Sequence, residues 1–409
     1  MFVPLEFTLI YLIWLLAWVV VLAWRYQEMI IACWREPVLI KPVLIFESDD
    51  WGPGSDIDAD QLGFIAKLLG KYSDSVDRNP VMTLGAVLAV PDSERIKATG
   101  YKCYYKNTLD EGLFSSVLKS ILAGIDSRVF SVQLHGMEHY WPDNLMVALQ
   151  TTEGVRALLD YEYPLRTEAL PNVLQSRWLK VDGQSTHPLN DNEIERAVRA
   201  EADTFTSIFQ QSARVVVPPT FVWSHKVEFN WKSCGLEYLV TPGVICSGRD
   251  SQGIMRQGDQ VIYNGLHSAS GLLYLVRNDY FEPALGHKPA EALDAVASKT
   301  RLGRPTLLEI HRFNFCNSAA QGKDSLDALE QCIKGVLKQF PGVRFMSTAE
   351  LGDIYADHKS DDDLIDNRLL TRVFVFMERI WTYQAMRKWL YLSSLCLLVK
   401  SITVLNRCR

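Results

Sequence analysis

Two carboxylates in succession, Asp49 and Asp50, close the apolar run Val43-Leu44-Ile45-Phe46-Glu47-Ser48 and are followed at once by Trp51-Gly52-Pro53-Gly54. Neighbouring side chains at a strand end point to opposite faces, so both acids can turn inward only if the backbone leaves the strand there. The Trp-Gly-Pro-Gly stretch supplies such a break. Two carboxylates this close repel, and one pKa rises unless a cation lies between them or one acid is paired elsewhere, which points to a metal ligand or a base. A solvated Asp-rich turn or helix cap is the competing reading. A second apolar run, Val129-Phe130-Ser131-Val132-Gln133-Leu134, ends in His135-Gly136-Met137-Glu138-His139. Histidines four apart are one helical turn apart. With a helix starting at Gly136, both imidazoles project to one side and can bind one cation through neutral nitrogens.

Such groups need a frame that gathers strand ends. Strand-like apolar runs at 43–48, 81–88, 129–134, 214–217, 237–240, 272–276, 306–311 and 343–346 alternate with segments of helical apolar spacing at 60–72, 110–124, 143–160, 191–211, 290–299 and 325–340. This alternation predicts an α/β fold in which crossover helices cover a parallel sheet. With seven or eight strands, a closed or nearly closed (β/α) barrel is the economical solution, and its site lies where the strands end. Residues 161–190 and 245–290, rich in Gly, Pro, Asn and His, read as insertions.

Ser48-Asp49-Asp50, then His135-x-x-x-His139, then Leu308-Glu309-Ile310-His311, in this order on successive strand ends, resemble the polysaccharide deacetylase (NodB-homology, carbohydrate esterase family 4-like) family over residues 40–350. The resemblance implies a distorted (β/α) barrel and metal-dependent removal of an acyl group from an amino sugar. It also implies Asp50, His135 and His139 as metal ligands, Asp49 as general base and His311 as general acid. Arg214, displaced from the Pro218-Pro219 pair, is the candidate for the family's arginine that orients the base. The family's Asp and Trp pair has two candidate counterparts, Asn278-Asp279-Tyr280 and Trp223-Ser224-His225.

The chemistry is coherent on its own terms. An amide carbonyl is a poor electrophile, so its hydrolysis near neutral pH calls for a divalent cation, zinc in the first instance, to polarise it and lower the pKa of the attacking water. Asp49 can take that water's proton, and an acid opposite must protonate the departing amine. Arg312 and Asn314, beside His311, are alternative contacts to substrate hydroxyls. His225, His267 and His287 have no partner at ligand spacing and read as structural or solvated. Two rival functions remain: a metallopeptidase, because His135 to His139 also satisfies H-x-x-E-H, and a catalytically inactive carbohydrate-binding domain. The peptidase signature belongs inside a long helix, whereas here a strand-like run leads directly into His135.

Residues 7–24 contain Thr8 as their one clearly polar side chain, a length suited to a membrane span. With no Lys or Arg before the run and no small-x-small site after it, residues 1–26 read as an uncleaved anchor. The catalytic domain follows at 40–358. Residues 367–409 read as a basic, apolar helical tail suited to lie on an anionic membrane surface, with Arg368, Arg372, Arg379, Arg387, Lys388, Lys400, Arg407 and Arg409 set against the single acid Glu378; a second span over Trp389 to Leu405 and a helix packed on the domain or on a second subunit are the alternatives. A net charge of -6 without a basic patch in the domain argues against a nucleic-acid partner. Eight cysteines without a CxxC pair lean towards a reducing compartment. The family resemblance suggests the outer side of the membrane and leaves a polysaccharide or a lipid-linked saccharide open as substrate, whereas the cations after the first apolar run, Arg25, Arg35 and Lys41, favour the cytoplasmic face, and with it a lipid-linked amino sugar presented at the bilayer surface.

Overall fold

The computed structural model describes residues 5–161, 164–165, 169–183, 185–250, 252–357 and 364–393. Nine parallel strands form one sheet: β1 (Val43–Trp51), β2 (Met82–Ala86), β3 (Phe130–Leu134), β4 (Val215–Val216), β5 (Tyr238–Thr241), β6 (Leu273–Val276), β7 (Asp279–Tyr280), β8 (Thr306–Glu309) and β9 (Arg344–Phe345). The order is β6-β5-β4-β3-β2-β1-β8-β7, with β9 paired to the start of β1. Both ends of this order belong to one stretch of chain. β6 pairs with β5, and after Arg277 and Asn278 the same stretch continues as β7 and pairs with β8. The pairing therefore runs full circle. The expected barrel forms, distorted where this strand changes partner.

Alternation along the strands decides what enters the barrel. On β1, Val43 and Ile45 join an inner cluster with Val215, Val217, Val240, Leu275 and Leu307, while Leu44 and Phe46 pack outward with Leu62 and Ile65 of the helix Asp56–Leu69. Continuing the odd-numbered row brings Glu47 and Asp49 to the interior. The helices follow the predicted pattern, with one break: the segment 143–160 is two helices, Pro142–Thr151 and Glu153–Tyr161, because Thr152 takes an extended conformation (φ −126°, ψ 109°).

At the strand-start end, the helices Leu5–Arg25 and Gln27–Arg35 meet Leu369–Thr382 and Gln384–Leu392 around Leu22, Cys33, Ile380, Met386 and Leu390. The tail is thus a packed element as far as it is described. Residues 394–409 and the acidic stretch 361–363 lie outside the described residues. Arg379 fastens it: its buried guanidinium donates to the carbonyls of Cys33, Glu36, Pro37, Leu302 and Gly303. Among the described residues no single helix is long and apolar enough to cross a membrane. Leu9–Arg25 and Gln27–Arg35 meet that measure only together, across an 84° bend.

Candidate active site

The backbone break expected after the two aspartates occurs within them. Asp50 has φ +70°, and the register with β2 shifts between Ser48 and Trp51, so the extra residue swings Asp50 to the side of the strand where Asp49 already lies. Trp51 locks the bulge by donating its indole N–H to Ser48 Oγ at 2.8 Å. Beside it, Gly85 of β2 leaves the space Asp49 uses, since a Cβ there would lie 2.4 Å from Asp49 Oδ1.

His135 follows β3 directly, but no helix begins at Gly136. That glycine has φ +93°, a left-handed conformation that turns the chain into an irregular loop until the helix starting at Pro142. The loop, not a helical turn, brings the two imidazoles together, with ring centroids 4.9 Å apart. The same geometry removes the helix that an inverted-zincin site requires. Glu138 is also diverted, held by Arg177, Tyr104 and Lys106.

Asp50 Oδ1 lies 3.5 Å from His135 Nε2 and 3.6 Å from His139 Nε2, while His135 Nδ1 donates to the Val217 carbonyl at 2.8 Å and so fixes Nε2 as the nitrogen facing Asp50. Asp50 Oδ1 is buried with no hydrogen-bond partner. Ligands on a tetrahedral cation with bonds near 2.1 Å stand roughly 3.4 Å apart, close to the two distances from Asp50 Oδ1, and all three ligand atoms lie within 4.8 Å of one another. Burial is the main force on His139 and pushes its pKa down to about 4, which leaves a neutral imidazole suited to a ligand. The donor set fits a divalent cation.

Asp49 is paired elsewhere, as two adjacent carboxylates require. Arg277, at the break between β6 and β7 and without exposed surface, donates to Asp49 Oδ2 at 2.5 Å and Oδ1 at 3.2 Å, and also reaches Glu47 at 3.1 Å and Glu309 at 3.2 Å. Burial raises the Asp49 pKa, but Arg277 and the nearby imidazoles outweigh it and hold the carboxyl down to about 2. Arg214, expected in this position, is on the outside of the barrel with Glu237 (2.8 Å) and Asp353 (2.5 Å). It immediately precedes β4, on the face opposite the interior row of Val215 and Val217, and cannot reach Asp49.

His311 stands across the cleft. Its Nδ1 meets Glu282 at 2.6 Å and its Nε2 meets Glu309 at 3.3 Å. Burial would lower its pKa; the Glu282 hydrogen bond, Asp50 and Glu309 overcome that and raise it to about 10, so the ring is an imidazolium at neutral pH. Burial, reinforced by Asp49 against the opposing pull of Arg277, lifts Glu309 to about 7. His287 supports the arrangement by accepting from the Glu282 backbone N–H at 3.1 Å. Trp223 and His225 take no part: the indole donates to Glu228, and His225 is largely exposed beside the same acid. Arg277 and Glu282 therefore flank the Asn278-Asp279-Tyr280 stretch weighed from the sequence, one before it and one after. Thr220 and Phe221, both with positive φ, form a strained rim to the cleft.

No protein-family model and no curated protein matches the chain. Solved structures share an overall likeness. A putative polysaccharide deacetylase from Mycobacterium smegmatis is 11% identical with a TM-score of 0.42, over 79% of this chain and 94% of that one. A peptidoglycan deacetylase from Bacillus subtilis is 10% identical with a TM-score of 0.36, over 79% and 95%. A 4-alpha-glucanotransferase from Thermococcus litoralis is 8% identical with a TM-score of 0.38, over 77% of this chain and 40% of that enzyme. At these values the likeness adds no weight to the site's own geometry.

Proposed function

We propose that the chain is a metal-dependent amidohydrolase of the polysaccharide deacetylase type, removing an N-acyl group, acetyl in the first instance, from an amino sugar. The observation that carries this reading is the convergence in one cleft of Asp50, His135 and His139 with an arginine-held carboxylate, Asp49, and a carboxylate-held imidazolium, His311. Asp50, His135 and His139 would hold the cation, which when bound polarises the acyl carbonyl and makes water more acidic.

The remaining work falls to this chain's own groups. Asp49, ionised at neutral pH, accepts the proton of the attacking water, and Arg277 keeps the carboxylate aimed and charged. His311 donates its proton to the departing nitrogen, and Glu282 on Nδ1 leaves Nε2 to face the cleft. Glu309 closes over that nitrogen and must yield it to substrate. The test is acetate release from a panel of N-acetylated amino sugars and O-acetylated glycans by the purified chain loaded with Zn²⁺, compared with the chelator-stripped protein. Release from O-acetyl groups alone would change the bond assigned, and release from none would refute the reading.

The same reading takes residues 1–26 as a membrane anchor with the domain on the cytoplasmic face, supported by Arg25, Arg35 and Lys41 after the apolar helix. Cys103 is exposed and suits impermeant thiol labelling in intact cells, whereas Cys316 is buried. Labelling of Cys103 without permeabilisation would place the domain outside.

A further inference from the structure

The four terminal helices attach to the barrel ahead of β1 and β8, whereas the catalytic cleft is built from strand ends. All strands of the sheet are parallel, so one end is built from strand starts and the other from strand ends. Asp49, Asp50, His135, Glu309 and His311 are at strand ends. The helices attach at strand starts: Leu39 N–H bonds the Gly303 carbonyl, Ile40 N–H that of Leu364, and Asp366 N–H that of Val38, all a few residues before β1 or β8 begins or on the chain leading out to the tail. Arg379 clasps carbonyls in the same two connections, 33–37 and 302–303. From Val43 to Asp50 the chain rises roughly 20 Å at about 3.3 Å per residue, so along β1 the cleft lies well beyond the points where these helices attach; on the β6 flank the approach is closer, where Glu36 accepts from Asn264, whose side chain also holds the Val276 N–H beside Arg277.

The helix Leu5–Arg25 presents apolar surface in several directions. Leu15, Trp18 and Leu22 pack on the tail helices, with Trp18 against Trp389 at 5.4 Å, yet Ile10, Leu12, Leu16, Val20 and Trp24 are each more than half exposed. Residues 9–24 carry no charge. A second copy of the chain would cover one stripe of such a helix, whereas a bilayer covers every side. Arg25, Arg35 and Lys388 are exposed on the adjoining segments and complement anionic headgroups.

We propose that this helical cap enters an anionic bilayer and that the cleft therefore opens away from the membrane, so that its substrate is a glycan extending well beyond the headgroups and not the sugar joined directly to a lipid. Naming a glycan rests on the deacylase reading; the orientation does not. This replaces the bilayer-surface substrate that charge placement alone favours.

Energy transfer in vesicles tests the orientation. Cys103 lies at the cleft end, next to Tyr104, whose hydroxyl bonds Glu138 and Tyr140. With Cys234, Cys396 and Cys408 changed to Ser, it can carry a donor in the full chain, because Cys33, Cys246, Cys316 and Cys332 are buried. A second protein carries the donor at Trp24→Cys, with Cys103→Ser added. Vesicles of phosphatidylcholine and phosphatidylglycerol, 3:1, carry acceptor-labelled headgroups. The expected result is binding of both proteins, strong transfer from position 24 and at least fivefold weaker transfer from Cys103. In the activity arm, the vesicle-bound enzyme should release acetate from a soluble N-acetylated hexosamine oligomer at least tenfold faster than from the same hexosamine joined by diphosphate to a lipid in the vesicle. Strong transfer from Cys103, preference for the lipid-joined sugar, or dimerisation through the cap without vesicle binding would overturn the proposal. Turnover of neither sugar with the expected transfer pattern would sink the deacylase reading while upholding the orientation.

Discussion

Glu282→Gln removes a charge and keeps a shape. The glutamine carbonyl can still accept from His311 Nδ1, so the ring stays in place, but the anion that favours the imidazolium is gone. His311 is raised from an ordinary 6.5 to about 10 against the opposing pull of burial, and the Glu282 hydrogen bond is the foremost of the groups that raise it. A charge-assisted hydrogen bond of this kind contributes about 1.5–3 kcal/mol. One pH unit corresponds to about 1.4 kcal/mol, so the substitution should lower the His311 pKa by about 1–2 units. The sign follows from the direction: a raised histidine keeps its proton to higher pH, and losing the cause of the rise lets the acid form disappear sooner. The alkaline limb of kcat/KM should therefore move down by about 1–2 pH units, with the rate at pH 6 little changed. The same pair stabilises the fold fully below pH 6.5 and progressively less as pH rises towards 10. Acetate release from pH 5 to 10.5, with metal per chain by elemental analysis, gives the profile. A limb that stays put while metal content is retained would refute His311 as the acid governed by Glu282.

Asp50→Ala, His135→Ala and His139→Ala should each lose bound cation and activity together, read by elemental analysis and acetate release, because two remaining protein ligands hold a cation weakly. Asp49→Asn should keep the cation and lose about 100-fold to 10,000-fold in rate, since an amide cannot accept the proton; a native rate would exclude it as the base. Removing His311 as His311→Ala should fall in the same range with metal intact. Arg379→Ala should cost at least about 3 kcal/mol in denaturant unfolding, because five buried carbonyls lose a charged donor at once. Earlier proteolysis at the tail helices should accompany it.

The strands were legible because a parallel barrel buries both faces, so each strand is a short apolar run bounded by turn residues, as at 43–48 and 129–134. The aspartate pair and the histidine pair are legible for the same reason, since polar groups that abruptly end such runs stand out. The arginine is not legible in this way: nearness to Pro218-Pro219 singles out Arg214, whereas the face a residue occupies depends on strand parity and on which strand closes the barrel. Arg277 does carry a sequence signal of the productive kind: it ends the apolar run Leu272 to Val276 as Asp49 ends its own. Glu282 carries none, being one acid in a stretch read as an insertion. The helix predicted at Gly136 failed for a local reason, as a glycine free to adopt positive φ turned the chain before any helix could start.

One stretch of eight residues, 273–280, joins both open edges of the sheet, and this gives the barrel a fastening with an electrical consequence. The Arg277 N–H bonds Thr241 on one side and the Phe281 N–H bonds Glu309 on the other, each at 2.9 Å. Release of either side would carry the guanidinium away from Asp49. With Asp49 as the proposed base, partial unzipping and a competent base would be mutually exclusive, so turnover would monitor the integrity of the whole ring. Amide exchange at 277 and 281 should rise in step with loss of turnover on gentle heating, before the outer helices give way.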